Sequence, residues 1–255
     1  MFIMAALTAL GHLCTEAPFG KLRKERISPW WGPLLPAGIA WFLLEVPNLL
    51  GALSVALTCP RADCRQLTVN GFLLMMFLIH YINRSIVYPL RTRGRGTPLA
   101  IVLMAMGFCT YNSTMQAHHL CYVARFDSGD GAALLRLILL VAGSLLFLIG
   151  FIINVQSDAH LINLRKASTS AGGRPDDHYT MPTGALFEYV SCANYFGESL
   201  EWSGYALAAG SLPALSFAVY TWSFLGPRAL QQHGWYRAKF DDYPKSRKAI
   251  IPWLL

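Results

Sequence analysis

The sequence predicts an all-α, polytopic membrane protein with seven transmembrane helices. Three observations carry this. The 255 residues are 54% hydrophobic and only 14% charged, against about 25% charged in a soluble domain, and the mean hydropathy is +0.38. The apolar runs are continuous rather than alternating, which excludes a β-barrel. Lys and Arg collect in alternate connecting loops, as the positive-inside rule requires. The runs leave no room for a long soluble domain, so residues 1–255 are read as one membrane-embedded unit.

The first span, Met1 to about Thr15, is short, and no basic start precedes it, so it does not read as a cleavable signal. A basic loop with Lys21, Arg23, Lys24 and Arg26 follows. The second span is Pro33 to about Leu57, with Trp41, Glu45 and Asn48 on one face. The third is Leu67 to Tyr88, with His80, Tyr81, Asn83, Arg84 and Tyr88 crowded at its end, followed by the basic turn Arg91–Pro98. Leu99 to Val123 is the fourth and carries Asn112, Gln116, His118 and His119. After a turn over Phe126–Gly131, Ala132 to Leu161 is a long fifth helix that becomes polar at Asn154, Gln156, Asp158 and His160. A Gly/Ser/Pro-rich loop, Arg165 to Thr183, leads to the sixth span, Thr183 to Ala209. The tight turn Gly210–Pro213 makes the last two helices an antiparallel hairpin. Ala214 to Leu225 begins the seventh helix, and the tail from Arg228 is polar, basic and aromatic.

With Lys21–Arg26 placed in the cytoplasm, sixteen of the twenty-one Lys and Arg fall on that side, and only Arg61, Arg65 and Arg125 fall opposite. The amino terminus is then outside or lumenal and the carboxyl terminus cytoplasmic, in a bacterial inner membrane or an endoplasmic reticulum. The formal charge of +7 is read as topology, anionic lipid contact and phosphate binding, with no nucleic-acid partner. The chain is expected to act as a monomer. Of six cysteines only Cys59 and Cys64 are close; a disulfide between them and two free thiols are both open. No spacing suggests a metal site.

The stretch LFEYVSCANYFGESLEWSGYAL carries the chemistry. Asn194, Glu198, Glu201 and Tyr205 follow at spacings of four, three and four, one polar stripe on an otherwise apolar helix. A carboxylate facing lipid costs several kcal/mol, so the stripe must face the bundle or a polar ligand. Asn154 and Asp158 form a similar pair one helix earlier, with Arg165 two turns beyond. Arg91, Arg93, Arg95, Arg165 and Arg228 can converge on the same membrane face. Acids and amides hold ribose hydroxyls and carboxamides, and arginines hold phosphates, which suits a phosphorylated dinucleotide. No G-x-G-x-x-G follows a strand, so the site is not a Rossmann one. Glu45 lies deep in an apolar helix. A protonated Glu45 and Tyr81 can both donate to one carbonyl oxygen, an oxyanion-hole arrangement for an enolate; the competing reading pairs Glu45 with Arg84 as a structural bridge. His118 and His119 are read as polar residues inside the bundle. Trp41, Phe196, Trp202 and Tyr205 are packing residues or the wall of a lipid-like ligand, and Trp30 and Trp31 an interfacial belt.

From about Trp41 onward the chain resembles the steroid 5-alpha-reductases, or 3-oxo-5-alpha-steroid 4-dehydrogenases. The likeness rests on FEYVSCANYFGESLEWSGYALA, SLPALSFA, FLGPRAL and FDDYPKSRKAIIP, with WFLLEVPN, HYINRSIVYPL, RGRGTP, FCTYN and INVQSDAHLINLRK. The resemblance implies seven membrane helices and NADPH-dependent reduction of the 4,5 double bond of 3-oxo-Δ4 steroids, with hydride going to C5 and a proton to C4. It places the catalytic Glu and Tyr on Glu45 and Tyr81. Cofactor residues fall on Asn154, Asp158, Arg165, Tyr179, Asn194, Glu198, Arg228 and Tyr236, with Arg95 and Trp202 as further candidates. The loop before Tyr179 and the tail QQHGWYRAK, with His233, depart from the family pattern. The steroid is expected among the second, third and fourth spans. The alternatives are a reductase of another lipid, such as a polyprenal or an enoyl thioester, a membrane methyltransferase using S-adenosylmethionine, and a non-enzymatic receptor or channel.

Overall fold

The computed structural model describes residues 1–15, 20–22, 28–60, 68–126, 133–170 and 179–255. Seven helical rods run through them. They are α1 (Phe2–Cys14), α2 (Ala37–Thr58), α3 (Val69–Arg91, with a π-turn at Asn83–Val87) and α4 (Leu99–His118, continued by a π-turn at His119–Val123). Then come α5 (Ala133–Ser170), α6 (Ala193–Ala209) and α7 (Leu212–Lys239). By length and composition α2, α3 and Ala133–Ala167 of α5 can each cross a membrane, and α1 is a shorter apolar helix. The protein is therefore helical and membrane-integral.

Small residues decide which helices touch. Ala37, Ala40, Ala52 and Ala56 form the buried face of α2, and Ser113 of α4 donates across it to the Pro47 carbonyl (3.2 Å). A two-residue antiparallel ladder, β1 (Leu34–Leu35) with β2 (Thr97–Pro98), clips the starts of α2 and α4 side by side. The tightest pairing is α5 against α6. A Cβ on Gly150 would stand 2.3 Å from the Glu201 nitrogen, and one on Gly197 2.5 Å from the Asn154 nitrogen; Gly143 and Gly204 make equally close approaches one heptad away on their helices. Only glycine allows backbones this near, the packing rule of helices in lipid. This contact brings the polar end of α5 against the polar stripe of α6.

Several boundaries differ from the sequence reading. The sixth helix begins at Ala193, not Thr183. The residues before it form a turn of 3₁₀ helix (Ala185–Glu188) and an extended piece whose backbone bonds to the tail, with Ser191 N–H to Lys248 O at 2.8 Å and Cys192 N–H to Ala249 O at 3.1 Å. The seventh helix does not give way to a tail near Arg228. It continues through Pro227 to Lys239, because its polar residues face α1 and α6 rather than water. The fifth helix extends past Leu161 to Ser170. At about 1.5 Å per residue it is roughly 57 Å long, well beyond a bilayer core. Gly210, in the left-handed conformation (φ 55°), ends α6, and Ser211 caps α7, which makes the expected hairpin. Cys59 is a free thiol that donates to the Cys121 carbonyl (3.6 Å); Cys64 lies outside the described residues, as do most of the turn Phe126–Gly131 and Arg23, Lys24 and Arg26 of the first loop. His118 is exposed and stacks on Tyr122 (4.7 Å), so it faces away from the bundle it was expected to line; Tyr122, one turn on, supplies an outer aromatic partner.

Gly150→Ala and Gly197→Ala are expected to force α5 and α6 apart and cost about 1–3 kcal/mol, as overpacking does. Gly107→Ala, whose Cβ meets nothing within 4 Å, is the control. Melting temperatures in detergent check this.

Candidate active site

The site is built around a charge on an apolar helix. Arg84 sits in the π-turn of α3, where the extra residue per turn rotates the side chain inward. It is 7% exposed, and its guanidinium lies over the rings of Trp41 (4.8 Å) and Tyr88 (4.9 Å). Three carboxylates from three other helices surround it. Asp158 of α5 accepts from Nη1 at 2.8 Å, Glu198 of α6 lies 3.6 Å from Nη2, and Glu45 of α2 lies 3.9 Å from Nε. Glu45 thus lies beside Arg84, as the structural-bridge reading expects.

Amides order these acids. Asn194 donates to Asp158 (2.9 Å), and Asn154 donates to the Asn194 carbonyl (3.0 Å) and to Glu198 (3.3 Å). Asn154 is fully buried and its Oδ1 has no hydrogen-bond partner. On the other side Asn48 donates to Glu45 (3.3 Å), Asn112 donates to Asn48 (3.5 Å) and to the Tyr81 hydroxyl (3.4 Å), and Gln116 donates to Asn112 (3.3 Å). Glu45 and Tyr81 are therefore linked through two amides, each of which can donate or accept. Asn194, Glu198, Glu201 and Tyr205 face the bundle, as the cost of a charge in lipid demands.

Trp202 is buried among Phe77, His80, Tyr81, Tyr205 and Phe217. The remaining cofactor candidates form a second group around the C-terminal half of α7. Arg228 donates to the Tyr195 hydroxyl (3.2 Å), which also accepts from Gln232 (2.6 Å). Tyr236 stacks on Tyr243 (5.8 Å between centroids), and Tyr179 meets Trp235 edge-on (5.0 Å). Arg165 and Arg95 are half-buried, and Arg165 Nη1 lies 3.7 Å from where a Cβ on Gly94 would be. Asn194 and Tyr195, neighbours in sequence, join the two groups. His233 lies beyond the apolar part of α7, 2.6 Å from the Ser191 hydroxyl.

The sequence placed Asn48 on the face of Glu45 and His80 with Arg84 at the end of the third span, but it gave no role to Asn48 or His80 and made Arg84 only a partner for Glu45. The available signal was spacing: His80 and Arg84 are one turn apart, so both point the same way. A groove of about 450 Å³ opens where Thr110, Tyr111, Thr114 and His118 of α4 meet Pro213. None of the predicted site residues lines it.

A helical membrane protein that gathers three acids, five amides and an arginine in its interior has the polar groups an enzyme of the bilayer needs. The chain belongs to the 3-oxo-5-alpha-steroid 4-dehydrogenase family: that family's model matches residues 95–255. It is 41% identical to the rat 3-oxo-5-alpha-steroid 4-dehydrogenase 1 (99% of this chain, 92% of the relative). It is 39% identical to the human 3-oxo-5-alpha-steroid 4-dehydrogenase 2 (98% and 94%). It is 37% identical to the steroid 5-alpha-reductase DET2 of Gossypium hirsutum (100% and 94%). The protein is thus an oxidoreductase, of a family that uses a nicotinamide cofactor.

Arg84→Ala leaves the three carboxylates without their shared cation and is expected to cost about 3–5 kcal/mol, the penalty for stranding buried charge. Arg84→Lys does not restore it, because one ammonium cannot serve carboxylates on several sides. Thermal unfolding of the purified variants checks both.

Proposed function

We propose that this protein reduces the 4,5 double bond of 3-oxo-Δ4 steroids with NADPH. The observation that carries the reading is the convergence on Arg84 of Glu45, the carbonyl-activating candidate, with Asp158 and Glu198, two of the cofactor candidates. Acid–base and cofactor residues from four helices meet at one depth, as a hydride transfer between two bound molecules requires.

The donor set fits a reduced dinucleotide. The buried, unpartnered Oδ1 of Asn154 is an acceptor for a carboxamide N–H or a hydroxyl, and Asp158, Asn194 and Glu198 offer further acceptors and an amide. Arg228, Arg165 and Arg95 stand toward the end read as cytoplasmic, suited to phosphates, with Tyr236 and Tyr179 as flat aromatic surfaces, while Trp202 stands apart from them beside Tyr81. Bound NADPH supplies a hydride. Glu45, protonated, and the Tyr81 hydroxyl donate to the C3 oxygen and stabilise the negative charge that grows there. Asn48 and Asn112 link those two donors. The apolar faces of α2, α3 and α4 provide the steroid's surroundings, reached from lipid.

The same reading makes residues 1–255 a single reductase unit acting as a monomer. All seven rods span the membrane, with the amino terminus outside or lumenal and the carboxyl terminus cytoplasmic. α4, α6 and α7 are less apolar than α2, α3 and α5 because their inner faces supply the polar groups of the site.

Glu45→Gln or Tyr81→Phe is expected to lower turnover about 100- to 1,000-fold, the effect of removing one oxyanion donor, with little change in NADPH affinity. Unchanged turnover in both refutes the roles. NADPH is expected to raise the melting temperature more than NADH does, with S-adenosylmethionine having no effect, and a panel of 3-oxo-Δ4 steroids against polyprenals and enoyl thioesters identifies the substrate class.

A further inference from the structure

His80 and Glu201 form the most deeply buried ionisable pair among the described residues. His80 is 2% exposed and Glu201 0%. Nδ1 of His80 lies 2.8 Å from Oε1 of Glu201, and the other carboxylate oxygen has no hydrogen-bond partner. Two ionisable side chains inside a bilayer are expensive, and a helix contact here could be made by leucines.

Their place in the bundle gives the reason. α3 and α6 run antiparallel and are joined by two polar rungs one turn apart. The first is Arg84 with Glu198 at 3.6 Å; the second is His80 with Glu201 at 2.8 Å. Glu198 belongs to the proposed cofactor site, so the first rung must exchange partners when the dinucleotide binds. The second rung has no part in that site. Its members are the sequence neighbours of Tyr81 and Trp202. The His80 ring stands edge-on to both, 4.8 Å from Tyr81 and 4.6 Å from Trp202, and Trp202 lies 5.7 Å from Tyr81. Phe77 closes the cluster against Tyr81 at 4.5 Å. The Tyr81 hydroxyl itself has one long hydrogen bond, to Asn112, too weak to aim the ring alone.

We propose that His80 and Glu201 are positioning residues: their hydrogen bond holds α3 in register with α6 and so aims the Tyr81 hydroxyl while Glu198 is engaged by cofactor. The proposal rests on the role given to Tyr81 above. Glu201→Leu is expected to lower kcat about 100-fold, the scale of a misplaced catalytic group, and to leave NADPH affinity near wild type. Glu201→Gln, whose amide oxygen still accepts from Nδ1–H, keeps kcat close to wild type. In a Tyr81→Phe background Glu201→Leu costs almost nothing further, because the group it aims is gone.

The full chain, purified in detergent and assayed with NADPH and a 3-oxo-Δ4 steroid, decides the matter. A wild-type kcat in Glu201→Leu, a loss in Glu201→Gln as deep as in Glu201→Leu, or multiplying effects of Glu201→Leu and Tyr81→Phe each overturns the positioning role. If Glu201→Leu does not fold, His80→Phe with Glu201→Leu replaces both partners by apolar groups and keeps the core filled. A slow, stable double variant supports the proposal and a fully active one overturns it. Wild-type turnover in Tyr81→Phe alone sinks the function proposed above instead, so the two failures are told apart.

Discussion

The shared ion pair at Arg84 is the constraint on which the arrangement of the bundle depends. A guanidinium within a membrane helix costs up to about 2.5–3.5 kcal/mol on insertion scales, the figure for the helix centre. The structure offsets that cost by gathering Asp158, Glu198 and Glu45 from three other helices and the faces of two aromatic rings around it. The cost falls on every helix that lacks its partner, so α2, α3, α5 and α6 must meet at this depth. In the proposed complex, a dinucleotide that takes Asp158 and Glu198 supplies its carboxamide and ribose hydroxyls as replacement donors.

Packing makes the meeting possible. Hydrophobic burial does not drive helices together in lipid, because the tails are as apolar as leucine. Close backbone contact through Gly150 and Gly197 does. It places the Asn154 amide within reach of both the Asn194 carbonyl and Glu198. The alanine face of α2 does the same for Glu45 and Asn48 against Asn112 of α4. In each case small residues stand one or two turns from the polar ones, so the sequence that allows approach also sets the hydrogen bonds.

The C-terminal tail closes one end of the bundle. The tail returns to pair with the segment before α6, fixing where that helix starts. Arg247, 2% exposed, donates to the Pro182 carbonyl and lies over the Tyr243 ring. Tyr195, Arg228 and Gln232 then extend the polar interior from Asn194 along the C-terminal half of α7. These contacts explain why the polar part of α7 stays helical through Pro227: its side chains satisfy partners inside the protein, and the helix is held from both sides.

Much of this was legible in the residues. Apolar run length determined that helices form and that they belong in a membrane. The spacing of Asn194, Glu198, Glu201 and Tyr205 determined that one face of α6 points inward, since charge cannot face lipid. The motifs around Glu45, Tyr81 and the tail determined the family. Periodicity along one helix says nothing about which helix lies opposite. So only the tertiary structure made Arg84 the centre of the acids, paired His80 with Glu201, and put Asn112 between Glu45 and Tyr81. It also moved the start of α6 to Ala193 and carried α7 to Lys239, because those boundaries are decided by backbone and side-chain partners far away in the chain, and a hydrogen bond to a distant residue leaves no local pattern.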